Sequence, residues 1–135
     1  MRVVLDTNVV VSGLLNPYGA SASILKLVLL KEIEIVFDAR LLCEYKEVLL
    51  RPKFQFKESQ VNDFIDGLLN TGLSILTKPL KASLPDVNDN PFLEIAIADG
   101  GAILVTGNKK HYPKELCQGV NVLTPQEFIQ MYLFE

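Results

Sequence analysis

The chain has 135 residues, of which 49% are hydrophobic and 21% are charged, and its formal net charge is −3. This length corresponds to one domain, and the composition excludes a disordered chain, which would combine low hydrophobicity with high net charge. The two cysteines, Cys43 and Cys117, do not form a disulfide framework and favour a reducing cytosol. We therefore expect a single cytoplasmic domain over residues 1–135.

Neither a secretion signal nor a membrane span is expected. Asp6 interrupts the apolar N-terminus before a signal-peptide core can form. The longest apolar stretch, Ile24–Leu30, contains Lys26 and is far shorter than the ~20 residues that a membrane span needs. The negative net charge means that any binding of nucleic acid would depend on local basic patches, such as the lysines around His111.

Short apolar runs alternate with amphipathic stretches along the chain. Continuous apolar runs are typical of strands that are buried on both faces of a parallel sheet. The sequence predicts five such strands, namely Val3–Leu5, Ile33–Phe37, Ser74–Thr77, Ile103–Val105 and Val120–Leu123. Strand–helix alternation in one small domain favours a three-layer α/β/α sandwich with a mostly parallel central sheet.

Two helices show particularly clear signals. Four apolar residues recur with helical spacing between Val61 and Leu68, and we expect Gly72 to end this helix in the left-handed conformation. For the last helix, the predicted N-cap is Thr124, followed by Pro125 in the first turn and by Glu127 as the partner in a capping box.

Polar residues follow the first and fourth predicted strands directly. They are Asp6, Thr7 and Asn8 after the first strand, and Thr106, Gly107 and Asn108 after the fourth. In parallel α/β sheets the functional site lies beyond the carboxyl ends of the strands, near the point where the strand order reverses. Taken one at a time, these residues are explained equally well as turn or helix-cap residues.

Helical geometry points to Glu44. In the segment 41–50 the apolar residues gather on one face at about 100° per residue, and Glu47 points away from that face. Glu44 lies on the border of the apolar face. Its carboxylate can therefore either reach the edge of the sheet or contact water.

Asp89 is a third candidate. Pro91 favours the first helical position, which makes Asn90 the expected N-cap of the next helix and leaves the Asp89 carboxylate free. Glu94 lies within the apolar segment that follows and is an additional candidate ligand. Asp86 is better explained as an ordinary loop residue.

Asp6, Glu44 and Asp89 are predicted to converge on one edge of the sheet. Clustered carboxylates remain ionised most readily with a cation between them, and hard oxygen ligands select Mg²⁺ or Mn²⁺. Such a metal activates phosphodiester hydrolysis. The chain contains neither a dinucleotide-binding nor a phosphate-loop glycine motif, and its only histidine, His111, belongs to no nucleophile motif.

At these residues the sequence resembles the PIN-domain family. The opening VVLDTNVVVSGLL is similar to the first motif of that family. DVNDNPFLEIAIADGGAILVTGNKKHYP and GVNVLTPQEFI resemble the C-terminal half of a bacterial and archaeal branch, commonly described as the toxin component of toxin–antitoxin pairs. The resemblance covers nearly the whole chain, and residues 51–82 are the least informative part.

The resemblance implies a Mg²⁺- or Mn²⁺-dependent ribonuclease that acts on RNA and is held in check by an antitoxin, and it favours a homodimer. It assigns the metal and catalytic acids to Asp6, Glu44 and Asp89. The resemblance adds Asn108 as a catalytic residue and Thr106 as a residue that positions the substrate. We further expect Asn8 and Lys109 to position the substrate. Many PIN domains have an acid at the position of Asn108, and related chains often have one at Asn88. A weakly active or inactive PIN scaffold that binds RNA or protein is therefore the alternative.

Overall fold

Five strands and six α-helices alternate along residues 1–134, the part of the chain that this computed structural model describes. The strands are β1 (Arg2–Leu5), β2 (Glu34–Phe37), β3 (Leu73–Ser74), β4 (Ile103–Val105) and β5 (Val122–Leu123). The helices are α1 (Thr7–Leu15), α2 (Ala20–Leu29), α3 (Ala39–Leu49), α4 (Glu58–Thr71), α5 (Asn90–Asp99) and α6 (Pro125–Leu133). Short 3-10 turns include Val87–Asp89 and Lys109–His111.

The strands form one parallel sheet in the order β3-β2-β1-β4-β5. The chain first builds outward from β1 to β2 and β3, and then returns to the other side of β1 with β4 and β5. In the register of the central pair, Val3 lies beside Ile103 and Leu5 lies beside Val105. The strand order therefore reverses between β1 and β4, which is where ligand sites of parallel sheets lie.

Helices cover both faces of this sheet. Val3, Val4 and Leu5 are successive residues of β1 and all three have no exposed surface. Because neighbouring residues of a strand point to opposite faces, both faces of β1 must be covered. Helix α5 packs against β1, β2 and β4. Helices α1, α4 and α6 each contact α2. The predicted α/β sandwich with a parallel sheet is confirmed.

The third strand differs from its prediction. The sequence predicted Ser74–Thr77, whereas β3 contains Leu73 and Ser74 only. Ile75 still donates its N–H to Phe37 O, at 3.0 Å. The neighbouring strand β2 ends at Phe37, because the next residue, Asp38, is the N-cap of α3. No strand therefore remains for Leu76 and Thr77 to pair with.

The fifth strand is also shorter than predicted. Val120 was expected to begin it, but β5 starts at Val122. The N–H of Val120 instead donates to Cys117 O at 2.9 Å in a turn in which Gly119 has a φ of +85°. The turn therefore uses the backbone group that a strand would have paired.

Gly72 follows α4 as predicted, but its conformation was predicted wrongly. Its φ of −107° and ψ of −177° are extended, not left-handed. A Cβ atom at this position would lie 2.5 Å from the Phe37 ring and 2.7 Å from Ile35 O. A glycine is needed here because the chain passes from α4 into β3 in direct contact with β2. The predicted apolar face of α4 is confirmed, since Val61, Phe64, Ile65 and Leu68 are buried.

The caps of the last two helices had different outcomes. Thr124 accepts a hydrogen bond from Glu127 N at 3.1 Å, and the Glu127 carboxylate accepts one from Thr124 N at 2.9 Å, which confirms the capping box. Asn90, however, is the first residue of α5 and not its cap. Its side-chain oxygen accepts the N–H of Leu84 at 3.0 Å, so that it holds the preceding loop.

Within residues 1–134, no helix combines the length and the hydrophobicity required to cross a lipid bilayer.

Candidate active site

The two central strands bring Asp6 and Thr106 together. Asp6 follows β1 and donates its backbone N–H to Val105 O at 2.9 Å, while Thr106 follows β4 and donates its N–H to Leu123 O at 2.9 Å. Both side chains are therefore fixed at the carboxyl edge of the sheet, where the strand order reverses. Asp6 is 6% exposed and Thr106 is fully buried.

The Asp6 carboxylate is held by two hydroxyl groups. Thr106 Oγ1 donates to Asp6 Oδ2 at 2.8 Å, and the Tyr112 hydroxyl donates to the same oxygen at 3.3 Å. Thr106 Oγ1 in turn accepts the N–H of Asn108 at 3.1 Å. Both side-chain donors reach Oδ2, so within the described part of the chain the other oxygen, Oδ1, has no hydrogen-bond donor.

Asp6 and Asp89 occupy equivalent positions in their helices. Asp6 is at the N-cap of α1 and Asp89 is at the N-cap of α5, yet neither side chain caps its helix. The positive end of a helix dipole stabilises a nearby carboxylate. Two helix ends thus favour negative charge at the site, and both carboxylates remain available for other contacts.

Asp89 keeps an oxygen without a hydrogen-bond donor. The residue is 9% exposed, and its Oδ2 is buried without a donor among residues 1–134. His111 Nδ1 lies 3.0 Å from this oxygen, but the pair does not have the geometry of a hydrogen bond. Burial raises the pKa of Asp89, the negative charge of Asp6 raises it further, and His111 acts in the opposite direction.

Helix α3 contacts the corner between β1 and α1 through two neighbouring residues. Glu44 accepts a short hydrogen bond from the Thr7 hydroxyl. Tyr45 is fully buried and donates its hydroxyl to Leu5 O, the carbonyl that precedes Asp6. Burial raises the pKa of Tyr45, and the nearby carboxylates of Asp6 and Glu44 add to the shift. Helix α3 therefore places Glu44 beside the strand end that carries Asp6.

The Tyr112 hydroxyl lies among all three predicted acids. Tyr112 is 3% exposed, and burial is the largest cause that raises its pKa. The carboxylates that add to this shift are those of Asp6, Asp89 and Glu44. The Tyr112 phenol is therefore close enough to Asp6, Asp89 and Glu44 for each carboxylate to influence its pKa.

The other predicted site residues have varied surroundings. Asn8 is exposed in the first turn of α1, and Asn108 is half-buried. Lys109 lies 3.2 Å from Glu127 in an exposed ion pair. Glu94 does not join the acids, because its Oε1 accepts from Arg40 at 2.7 Å and its Oε2 accepts from Leu80 N at 3.2 Å. It fixes the loop after β3 to α5.

The donor chemistry of the site fits a divalent cation. Among residues 1–134 no three acidic, histidine or cysteine side chains lie close enough to form a ready metal cluster. Mg²⁺, however, is usually bound through one or two carboxylates and completes its coordination with water. Asp6 and Asp89 provide such a pair, with a buried Asp89 oxygen that has no donor. Glu44 would complete the set from α3.

Sequence reasoning missed three residues that contact the acids. Thr7 was considered only as one of several polar residues after β1, although its hydroxyl binds Glu44. Tyr112 and His111 were not among the candidate site residues. The available signal was their position in the segment VTGNKKHYP, which begins at the end of β4 and carries the predicted Thr106 and Asn108.

The chain is similar to other proteins over most of its length. An uncharacterized protein of Methanocaldococcus jannaschii, MJ1680, is 28% identical over 143 positions, which cover 98% of this chain and 92% of that protein. The solved structure of VapBC2 from Rickettsia felis, bound to a DNA fragment from its promoter, has a TM-score of 0.61 at 22% identity. The aligned region covers 92% of this chain and 98% of the matched VapBC2 chain.

A second solved structure, FitAcB from Neisseria gonorrhoeae, has a TM-score of 0.56 at 17% identity and covers 93% of this chain and 99% of its own. At these identities the two structures show a common fold. The family model of the PIN domain matches residues 2–110, which include all three candidate acids. The chain therefore belongs to the PIN domain family.

Proposed function

We propose that this protein is a metal-dependent endoribonuclease that hydrolyses RNA phosphodiester bonds with Mg²⁺ or Mn²⁺. The observation that carries the proposal is the pair of buried carboxylates, Asp6 and Asp89, at two helix N-termini. Burial and mutual repulsion disfavour this pair, and a divalent cation would relieve both costs. Membership of the PIN domain family supports nuclease activity.

Each residue has a part in this proposal. A bound Mg²⁺ or Mn²⁺ supplies a Lewis acid for a phosphoryl oxygen and for the attacking water. Asp6, Glu44 and Asp89 would hold the cation. Thr106 and Tyr112 orient Asp6 by binding Oδ2, which leaves Oδ1 available.

The segment after β4 would bind the scissile phosphate. Asn108, held through its N–H by Thr106, would orient the phosphate or the attacking water. Lys109 and Asn8 would contact the RNA backbone, a role that positions the substrate without reading its sequence. The ion pair of Lys109 with Glu127 is exposed, and such pairs are weak enough to exchange a carboxylate for a phosphate.

We further propose that the protein is a cytoplasmic toxin controlled by a protein antitoxin. The resemblance of its motifs to the toxin branch supports this role, as does the fold shared with VapBC2, which was solved on DNA from its promoter. Leu30 is 71% exposed at the end of α2, and Leu69 is 51% exposed near the end of α4, which packs on α2. Exposed apolar groups on neighbouring helices favour a protein partner, either an antitoxin or a second copy in a homodimer.

The test is cleavage of a single-stranded RNA by the purified protein with Mn²⁺, compared with the same reaction in EDTA. The expected products carry 5′-phosphate and 3′-hydroxyl ends. Asp6→Asn is the negative control for a contaminating nuclease, because it must be inactive if the site described above is responsible. Metal-independent cleavage, or equal cleavage by the variant, would contradict the proposal.

A second candidate function is a PIN scaffold that binds RNA or protein without turnover. It is favoured by Asn108, which carries no charge where many PIN domains have an acid, and by the lack of a three-residue metal cluster among residues 1–134. RNA binding in a gel-shift experiment together with intact RNA after incubation with Mn²⁺ would favour this function.

A further inference from the structure

The only histidine of the chain lies against the orphaned oxygen of the candidate site. His111 Nδ1 is 3.0 Å from Asp89 Oδ2, and that oxygen is buried without a donor among the described residues. A buried carboxylate oxygen usually has a hydrogen-bond partner, so an exception needs an explanation. The proposed nuclease function does not use His111.

The backbone fixes His111 at this place. Its N–H donates to Asn108 O at 3.1 Å, and the N–H of Tyr112 donates to Lys109 O at 3.0 Å, which closes the 3-10 turn Lys109–His111. The next side chain, Tyr112, is buried and binds Asp6. Two consecutive residues therefore contact the two buried acids, and Tyr112 anchors the turn that carries His111.

The separation of the two atoms also fits shared coordination of one ion. Neighbouring ligands at right angles on one octahedral ion, with bonds of about 2.1 Å, lie about 3.0 Å apart. His111 Nδ1 and Asp89 Oδ2 have this separation, and the Asp89 oxygen has no hydrogen-bond donor among the described residues. The imidazole is 43% exposed, so an ion and its remaining waters can reach this side of the ring from solvent.

We propose that His111 is a direct ligand of the divalent cation, bound through its ring nitrogen beside Asp89. This inference rests on the proposed metal-dependent function. Asn108 carries no charge where many PIN domains have an acid, and His111 would add a nitrogen donor to the carboxylate oxygens. Imidazole nitrogen suits transition metals, whereas Mg²⁺ prefers carboxylate and water oxygens. His111 thus sets a preference for Mn²⁺ over Mg²⁺.

The experiment measures Mn²⁺ bound to the untagged full-length protein by electron spin-echo spectroscopy. Direct nitrogen coordination produces a ¹⁴N modulation, and incorporation of ¹⁵N-histidine must change it. Because the chain has a single histidine, this change assigns the nitrogen to His111 without any mutation. His111→Gln should abolish the signal, whereas Lys110→Gln, an exposed change in the same turn, should preserve it.

Metal titrations provide a second readout. His111→Gln should weaken Mn²⁺ binding by about tenfold or more, the scale on which changes around metal ligands act, and should weaken Mg²⁺ binding much less. Bound Mn²⁺ without histidine nitrogen coupling would overturn the inference and leave the proposed function intact. A wild-type protein that binds no Mn²⁺ would overturn both.

Discussion

Tyr112 donates its hydroxyl to the Asp6 carboxylate at 3.3 Å, although the two residues are 106 positions apart in the sequence. Asp6 follows the first strand, and Tyr112 lies in the segment that follows the fourth. The contact therefore joins the segments that follow β1 and β4, the two strands between which the strand order reverses. It also places a neutral donor close to the acids, because burial, Asp6, Asp89 and Glu44 all raise the pKa of Tyr112.

Tyr112→Phe should reduce RNA cleavage by roughly tenfold, the scale of losses when a residue that orients a metal ligand is removed. Asp6 would retain only the Thr106 donor. The loss of one net hydrogen bond should lower the free energy of unfolding by about 1 kcal/mol. Cleavage assays and thermal melting check the two effects. The control is Tyr18→Phe, because Tyr18 is 95% exposed. Equal cleavage activity of the two variants would show that Tyr112 contributes packing and does not orient Asp6.

The parts of the fold that depend on local sequence could be predicted. Val3–Leu5 and Ile103–Val105 are continuous apolar runs, and they form the central pair β1 and β4. The edge strands could not be bounded in this way. The length of β3 depends on where its partner β2 ends. The sequence of residues 74–77 contains no signal for this long-range pairing.

The candidate site divides in the same way. Asp6 and Thr106 were candidates because each directly follows a buried strand. Glu44 was a candidate because it lies on the border of an apolar helical face, and only the family resemblance assigned it to the site. The contacts between elements, such as Thr7 with Glu44 and His111 with Asp89, depend on the three-dimensional arrangement. The cap of α5 was predicted wrongly because Asn90 has a distant partner, Leu84 N, that competes with the local role.

Asp6→Asn should abolish RNA cleavage and leave the fold intact. The amide preserves the size of the side chain but removes the charge that a cation would need. Far-UV circular dichroism and cleavage should be measured on the same preparation. Asp66→Asn, an exposed acid on α4, is the matched control and should remain fully active. Full cleavage by Asp6→Asn would remove this residue from the mechanism.

Asn108→Asp should strengthen Mn²⁺ binding and increase cleavage. The Asn108 backbone is held by Thr106, which binds Asp6, so a new carboxylate would enter the same cluster. Mn²⁺ titration by calorimetry measures the change. Asn121→Asp adds the same charge at an exposed position before β5 and should not alter the affinity. Equal or weaker Mn²⁺ binding by Asn108→Asp would place this side chain outside the metal shell.

Gly72→Ala should destabilise the fold without acting on the site. The added Cβ would lie 2.6 Å from Ile35 Cγ2 and 2.5 Å from the Phe37 ring, so α4 and β2 would have to move apart. Overpacking of this kind typically costs about 1–3 kcal/mol, which lowers the melting temperature by several degrees. At Gly101 the nearest atom would lie 3.9 Å away, and Gly101→Ala should melt like the wild type. A Gly72→Ala protein with an unchanged melting temperature would refute this account of the glycine.

The acid pair should make stability depend on a divalent metal. Without metal, burial raises the pKa of Asp89 and the negative charge of Asp6 raises it further, so we expect the folded state to carry repulsion between the two acids. A cation that binds only the folded protein adds about 2.7 kcal/mol at a hundredfold excess over Kd, which corresponds to several degrees of melting temperature. Mg²⁺ or Mn²⁺ should therefore raise the melting temperature of the wild type.

The double variant Asp6→Asn/Asp89→Asn should lose this response, because it has no carboxylate pair to hold the cation. In EDTA it should melt at a higher temperature than the wild type, since the two neutral amides do not repel each other. Thermal melting of both proteins with EDTA and with Mn²⁺ well above millimolar concentration tests the two statements together. Identical wild-type curves under the two conditions would contradict an assembled metal site at Asp6 and Asp89, and the non-catalytic binding scaffold would become the better explanation.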